Sequence, residues 1–182
     1  MNYVYNKSLA NCTPSKIREF NSLAAKLNAK YKLTLGEPDF DTPIEIKDAL
    51  IEAVNQNHTR YAPTVGNKNL REEICKFEKR VNKVSYEPDE VLVTTGSTEA
   101  LTAALFTLLN QDDEVIVPIP CYALYEPVIS YCGAKMIPLD TRPDFQISKG
   151  HLEALINNKT KAILLTSPNN PTGTIYDDKT LE

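Results

Sequence analysis

Short apolar runs alternate with helix-like segments in the second half of the chain. Four runs rich in β-branched or aliphatic residues, at 91–94, 114–118, 134–138 and 161–166, are typical of buried strands. Between them, apolar residues recur every three or four positions, which predicts helices. This order predicts an α/β fold with a mostly parallel sheet covered by helices on both faces, a three-layer α-β-α arrangement.

The first half of the chain is predicted to hold three amphipathic helices. The first should begin at Thr13-Pro14 and use its apolar stripe to pack on a domain or a partner subunit. The second follows a capping-box pattern at 42–45 and should bury a face formed by Ile46, Ala49, Leu50, Ala53 and Val54. The third is capped by Asn67, and its solvated face should form intrahelical ion pairs among Lys68, Arg71, Glu72, Glu73, Lys76 and Lys79.

Composition and charge narrow the class of protein. The 182 residues are 42% hydrophobic and 24% charged, as in soluble globular proteins. A net charge of -4 with interspersed signs argues against nucleic-acid binding. No apolar run is long enough to cross a bilayer and the polar N-terminus is unlike a secretory signal, so we expect a cytoplasmic protein. The two histidines are far apart and the four cysteines are scattered, which predicts free thiols and no metal site.

The turn after the first predicted strand contains candidate phosphate ligands. Gly96 permits a sharp backbone path, and Ser97 or Thr98 can cap the helix that follows. A helix start carries unpaired N–H groups and a partial positive charge, so it suits a phosphate. The turn matches neither the dinucleotide-binding nor the P-loop pattern, and a plain connection without a ligand is the alternative.

Two further turns follow predicted strands, and parallel strands should bring all three to one edge of the sheet. One offers the aromatic ring of Tyr122, and the other offers the carboxamide of Asn170 in a proline-containing turn. A flat, phosphorylated, aromatic cofactor would use all three turns. Pyridoxal 5'-phosphate fits better than a nucleotide, because no ribose-binding acidic residue follows at the usual offset.

Five segments together resemble the N-terminal half of a class I/II aminotransferase of pyridoxal-phosphate fold type I. They are Leu-Gly-Glu-Pro-Asp-Phe at 35–40, Tyr-Ala-Pro-Thr-Val-Gly at 61–66, residues 94–101, residues 120–125, and Asn-Asn-Pro-Thr-Gly at 169–173. They occur in the family's order across nearly the whole chain. The resemblance implies an incomplete cofactor-binding large domain at 43–182, preceded at 1–42 by an N-terminal arm and a small-domain segment.

The resemblance implies a role for each residue that binds the cofactor. Gly96, Ser97 and Thr98 would hold the phosphate. Tyr122 would stack on the pyridine ring, and Asn170 would bond the phenolic oxygen of that ring.

The resemblance also implies substrate contacts and a partner subunit. Asn170 and the backbone of Gly36 would lie at the substrate carboxylate, whereas Tyr61 would reach the phosphate in the neighbouring subunit of a homodimer. The implied reaction transfers an amino group from an amino acid to a 2-oxo acid. A β-lyase that cleaves a carbon–sulfur bond with the same fold and cofactor is the close alternative.

Three groups of the family come later than any residue of this chain. They are an aspartate at the pyridine nitrogen, the lysine that forms the Schiff base and an arginine that clamps the substrate carboxylate. We therefore expect the catalytic lysine beyond Glu182. Lys149, in Ser-Lys-Gly at 148–150, is not a substitute, because it precedes the Asn170 turn and is predicted to face solvent. A chain that ends at Glu182 should bind the cofactor weakly without turnover, and a non-catalytic truncated fragment is the remaining alternative.

Overall fold

The computed structural model describes residues 16–27, 30–31, 33–34 and 36–182. This part of the chain forms two compact units, Ile17–Ala100 and Leu101–Glu182. The predicted helix start at Thr13-Pro14 and the first residue of the 35–40 motif lie outside the described residues. The expected boundary between the N-terminal segment (1–42) and the large domain (43–182) stays a prediction.

The Ile17–Ala100 unit is mainly helical. It contains α1 (Lys16–Lys26), α2 (Ile44–Asn55), α3 (Lys68–Val81) and a short 3-10 helix (Pro88–Glu90). None of the three α-helices has a buried residue. On α2, Ile46 is 59% and Leu50 is 67% exposed. The prediction that this face is buried is wrong for this structure, because periodicity defines an apolar face but only a packed neighbour covers it.

The starts of α2 and α3 differ in their capping. The side chain of Asn67 accepts the N–H groups of Asn69 and Leu70 at 2.9 and 3.3 Å, which confirms the predicted cap of α3. Helix α2 instead has Pro43 at its cap position and no side-chain cap hydrogen bond. The predicted capping box is therefore wrong, because the helix begins one residue later than the pattern requires.

The charged face of α3 is only partly a solvated face. Lys68 lies 3.7 Å from Glu72, and Lys76 lies 2.7 Å from Glu73, as predicted. Arg71 behaves differently, because it donates a hydrogen bond to the carbonyl of Pro88 and its side chain is only 11% exposed. Arg71 thus ties α3 to the 3-10 helix.

Residues 91–94 do not form a strand, although the backbone of Val91 is extended. The N–H of Val93 donates to the carbonyl of Val65 at 3.1 Å, and Leu92 is 55% exposed. The predicted buried strand is wrong here, because a β-branched segment becomes a strand only where a neighbouring strand completes the ladder. Gly66 (φ +97°) lies so close to this segment that an added Cβ would be 2.5 Å from the Cβ of Val93.

A three-stranded parallel sheet forms the centre of the Leu101–Glu182 unit. Its strands are β1 (Glu114–Ile119), β2 (Lys135–Asp140) and β3 (Thr160–Ile163), in the order β2-β1-β3. Ile116 of the central strand pairs with Ile137 on one side and Ile163 on the other. The three strands predicted in this half of the chain are confirmed, although the last one ends earlier than expected.

Helices cover this sheet on both faces. Helix α4 (Ser97–Leu108) precedes β1, α5 (Tyr125–Tyr131) connects β1 to β2, α6 (Lys149–Leu155) connects β2 to β3, and α7 (Asp178–Leu181) follows β3. The two crossovers run in opposite directions along the sheet. Because parallel crossovers are almost always right-handed, they place α5 and α6 on opposite faces. The α-β-α layering predicted from the sequence is present in this unit.

The core lies around β1. Val115, Val117, Leu105 of α4 and Ile129 of α5 form one buried cluster. Ile116 points to the opposite face of the sheet, because side chains alternate along a strand, and it is also 0% exposed. Both faces of β1 are therefore packed, and the turn at its carboxyl end follows a fully packed strand.

Candidate functional site

Two of the predicted turns lie side by side at the carboxyl edge of the sheet. The side-chain Nδ2 of Asn169 donates to the carbonyl of Pro120 at 3.0 Å, which joins the turn after β3 to the turn after β1. The same nitrogen donates to Oγ1 of Thr172 at 2.9 Å. The structure therefore brings the turn that carries Tyr122 and the turn that carries Asn170 together, as the parallel sheet predicted.

The ring of Tyr122 is half-buried and forms a T-shaped pair with the ring of Tyr125. Its centroid lies 5.6 Å from that of Tyr125, with the two rings inclined at 81°. The hydroxyl of Tyr125 lies 2.6 Å from Oγ1 of Thr166, so a hydrogen bond connects the start of α5 to the segment after β3. Tyr122 thus packs against Tyr125, which is itself held by the hydrogen bond to Thr166, and part of the Tyr122 side chain remains accessible.

The two consecutive asparagines of the turn differ in exposure. Asn169 is half-buried, and its main chain exchanges hydrogen bonds of 2.8 Å with the carbonyl of Thr174 and the N–H of Gly173. Asn170 is exposed, between the cis peptide bonds that precede Pro168 and Pro171. Sequence reasoning identified Asn170 and missed Asn169. The two consecutive asparagines were the available signal. Adjacent side chains seldom face the same way, so one of the two could be expected to point into the protein.

The Gly96 turn belongs to the Ile17–Ala100 unit. Gly96 has a φ of +86°, and no atom lies within 4 Å of the position of an added Cβ. Helix α4 begins at Ser97, so Ser97 and Thr98 lie inside its first turn and Gly96 precedes it. The prediction that one of them is the cap is wrong. Their placement in the first turn still agrees with an anion site, since the helix dipole acts there.

Gly36 and Tyr61 are both accessible in the Ile17–Ala100 unit. No atom lies within 4 Å of a Cβ added at Gly36, and Tyr61 is fully exposed. Their roles toward the substrate carboxylate and a neighbouring subunit stay predictions, as does the convergence of the Gly96 turn with the other two turns.

The residues present fit pyridoxal 5'-phosphate in their chemistry. The cofactor needs an anion site, an apolar surface for its ring and a donor for its phenolic oxygen. The open Gly96 backbone at a helix start, the Tyr122 ring and the exposed amide of Asn170 are groups of these three kinds. Burial, and then the charge of Glu126, raise the pKa of the neighbouring Cys121 thiol, which lowers the fraction of reactive thiolate.

The described residues lack two other kinds of feature, a metal-binding cluster and a membrane-spanning helix. No group of three or more His, Cys, Asp or Glu side chains there could hold a metal ion. Within the same residues, no helix combines the length and apolar character that crossing a membrane requires. Cys75, Cys121 and Cys132 are free thiols.

Comparison with known proteins identifies the family. The family of class I and II aminotransferases matches residues 28–182, and the chain belongs to it. The sequence is 37% identical to an aspartate aminotransferase of Geobacillus stearothermophilus over 97% of this chain and 46% of that protein. It is 34% identical to aromatic-amino-acid aminotransferase 2 of Thermococcus litoralis over 93% of this chain and 44% of that protein.

A solved structure agrees with the fold. The aspartate aminotransferase of Thermus thermophilus, determined with maleate, matches with a TM-score of 0.92 and 33% identity. The match covers 99% of this chain and 49% of that one. The chain therefore spans about half the length of the relatives that it matches, and it shares their fold over that half.

Proposed function

We propose that this chain provides the cofactor-seating part of a pyridoxal-phosphate-dependent aminotransferase, which transfers an amino group from an amino acid to a 2-oxo acid. The proposal rests on the hydrogen bond that joins two turns at the edge of the sheet. Asn169 joins the turn with an aromatic ring to the turn with an exposed carboxamide at the carboxyl edge of a parallel sheet, where such sheets bind ligands. Membership in the aminotransferase family supports the same reading.

Each candidate residue then has a defined task. The first turn of α4, with Gly96, Ser97 and Thr98, binds the phosphate, and Tyr122 holds the plane of the ring. Asn170 donates to the phenolic oxygen. When bound, pyridoxal phosphate supplies an electron sink for charge that develops at the substrate α-carbon. Holding the ring in one orientation is the contribution of the protein, because orientation decides which substrate bond is broken.

Substrate recognition and assembly belong to the same proposal. The backbone of Gly36 and the amide of Asn170 orient the substrate carboxylate, and the exposed Tyr61 reaches the phosphate bound by a second copy in a homodimer. We expect this enzyme in the cytoplasm. The relatives are named for aspartate and for aromatic amino acids. These different names do not indicate which amino acid is the substrate of this enzyme.

Cofactor binding tests the proposal most directly. The purified chain is titrated with pyridoxamine 5'-phosphate, which is fluorescent and has no aldehyde to react with stray lysines. We expect saturable binding that Tyr122→Ala weakens by about tenfold or more, since stacking on an aromatic ring contributes about 1–3 kcal/mol. Tyr131→Ala is the matched control, because Tyr131 is an exposed tyrosine of α5. Equal binding by both variants, or no saturable binding at all, would contradict the proposal.

The anchoring lysine is expected outside these 182 residues. Lys149 does not resemble a buried anchor, since its side chain is 88% exposed and lies 3.9 Å from Glu153. After incubation with pyridoxal phosphate, borohydride reduction and peptide mapping should reveal no single modified lysine. One uniquely trapped lysine in this chain would refute that part.

The products that the enzyme containing this chain releases distinguish a β-lyase from an aminotransferase. A new amino acid formed from a 2-oxo acid acceptor indicates amino transfer. Ammonia and pyruvate released from a thioether amino acid indicate the lyase.

A further inference from the structure

We propose that Asn169 is a positioning residue of the cofactor site, which sets Tyr122 and Asn170 relative to each other without touching the ligand itself. The inference rests on the proposed function and adds a residue to it. It starts from the contrast between the two neighbouring asparagines. Asn170 is exposed, whereas Asn169 is half-buried and directed into the protein.

The amide of Asn169 spans two turns that are far apart in sequence. Both of its donated bonds leave from Nδ2, to the carbonyl of Pro120 at 3.0 Å and to Oγ1 of Thr172 at 2.9 Å. An amide nitrogen has two hydrogens, so both bonds can exist at once. Pro120 stands two residues before Tyr122, and Asn169 directly precedes Asn170. One side chain therefore connects the backbone that carries the ring to the backbone that carries the amide.

The Thr172 hydroxyl extends this connection within the turn. Its Oγ1 lies 2.8 Å from Oγ1 of Thr174 and accepts the N–H of Thr174 at 3.3 Å. The main-chain N–H of Asn169 donates to the carbonyl of Thr174 at 2.8 Å. The turn is thus closed on itself, and Nδ2 of Asn169 is the donor that links it to the end of β1. Loss of that donor also removes the bond to Thr172, but the main-chain bonds of the turn remain, so we expect the two turns to shift apart while each largely keeps its shape.

This arrangement predicts a selective defect. The ring of the cofactor needs Tyr122 and Asn170 at a fixed separation, whereas the phosphate is assigned to the start of α4. Removing the Asn169 donor should weaken ring binding and leave phosphate binding unchanged. A residue with a merely structural role would weaken both.

The experiment compares two probes on the purified chain. Pyridoxamine 5'-phosphate binding is followed by fluorescence, and inorganic phosphate is measured as its competitor. For Asn169→Ala, we expect the Kd for pyridoxamine phosphate to rise about tenfold, the factor that corresponds to one well-placed hydrogen bond. The inhibition constant of inorganic phosphate should stay within about twofold. Asn110→Ala is the matched control, because Asn110 is an exposed asparagine of the same unit.

A second variant covers the case in which alanine disturbs folding. Asn169→Asp keeps the size of the side chain but replaces the donor by an oxygen facing the Pro120 carbonyl, and it should show the same selective loss. Unchanged ring binding in both folded variants would overturn the inference, and so would an equal loss for both probes. Absence of pyridoxamine phosphate binding by the unmodified chain is a different result, which would reject the proposed function and this inference with it.

Discussion

The two units of this protein differ in how far they bury their apolar side chains. Every buried hydrophobic residue among the described positions belongs to the Leu101–Glu182 unit: Leu105, Leu109, Val115, Ile116, Val117, Ile129, Ala134, Leu139 and Tyr176. In the Ile17–Ala100 unit, Phe20 of α1 and Leu50 of α2 are about two-thirds exposed, at 66% and 67%.

The difference follows from how sheets and helices bury surface. A parallel strand such as β1 obtains neighbours on both edges and helices on both faces from its own crossover connections. An amphipathic helix has one apolar stripe, and a separate element must cover it. A parallel α/β segment can therefore bury its apolar residues against its own strands and helices. A helical segment needs a separate element to cover its apolar face.

The largest expected effect tests the packing of the Leu101–Glu182 unit. Ile116→Ala removes a fully buried side chain and should lower the free energy of unfolding by about 3 kcal/mol, because a cavity remains in the sheet core. Leu50→Ala, on the exposed face of α2, should change it by less than about 0.5 kcal/mol. Urea unfolding monitored by circular dichroism measures both variants.

The result for Leu50 also has diagnostic value. A loss from Leu50→Ala comparable with that from Ile116→Ala would show that the α2 face is covered in solution. The contrast between the units would then be incorrect.

An intermediate effect tests whether the Ile17–Ala100 unit has specific tertiary packing of its own. At Gly66, alanine would meet both a φ of +97° and the Cβ of Val93 at 2.5 Å. We expect Gly66→Ala to cost about 2 kcal/mol, from backbone strain and overpacking. Gly150→Ala is the control, because nothing lies within 4 Å of its added Cβ in α6, and it should stabilise by about 0.5 kcal/mol.

Thermal and urea unfolding of both glycine variants provide the measurement. If Gly66→Ala is as well tolerated as Gly150→Ala, the contact between the 61–66 loop and the 91–94 segment does not contribute to stability.

The smallest effect concerns an exposed ion pair at the carboxyl end of β2. Hydrogen bonds from the side chain and then the backbone of Arg142 lower the pKa of Asp140 from its ordinary 3.8 to about 2. A carboxylate with a lowered pKa stabilises the fold above its ordinary pKa, and this contribution is lost as the pH falls from about 4 to about 2. The contribution is small, because both side chains are exposed and screened by solvent.

Asp140→Asn isolates this contribution. The difference in unfolding free energy between the unmodified chain and the variant should shrink as urea unfolding is repeated from about pH 5 down to about pH 2. High salt should reduce the difference at the upper end of that range. A difference that does not change with pH would mean that the ion pair does not persist in solution.

The sequence predicted the turns better than it predicted the packing around them. The strands at 114–118 and 134–138, the Asn67 cap and the adjacency of the Tyr122 and Asn170 turns followed from local pattern and from the geometry of parallel sheets. Asn169 was missed, because the two asparagines are chemically identical in the sequence. Only their positions in the folded turn separate the one that bonds to Pro120 from the one that stays exposed.

Local sequence was sufficient for the alternation of helices and strands from α4 to β3, for the family and for the residue types that follow the strands, because these depend on periodicity, turn chemistry and chain order. Only tertiary contacts decided that residues 91–94 do not join a strand ladder, that Arg71 leaves the solvated face of α3 and that the face of α2 is uncovered. Each of these outcomes depends on whether a second segment is present at hydrogen-bonding or packing distance. No pattern within one segment contains that information.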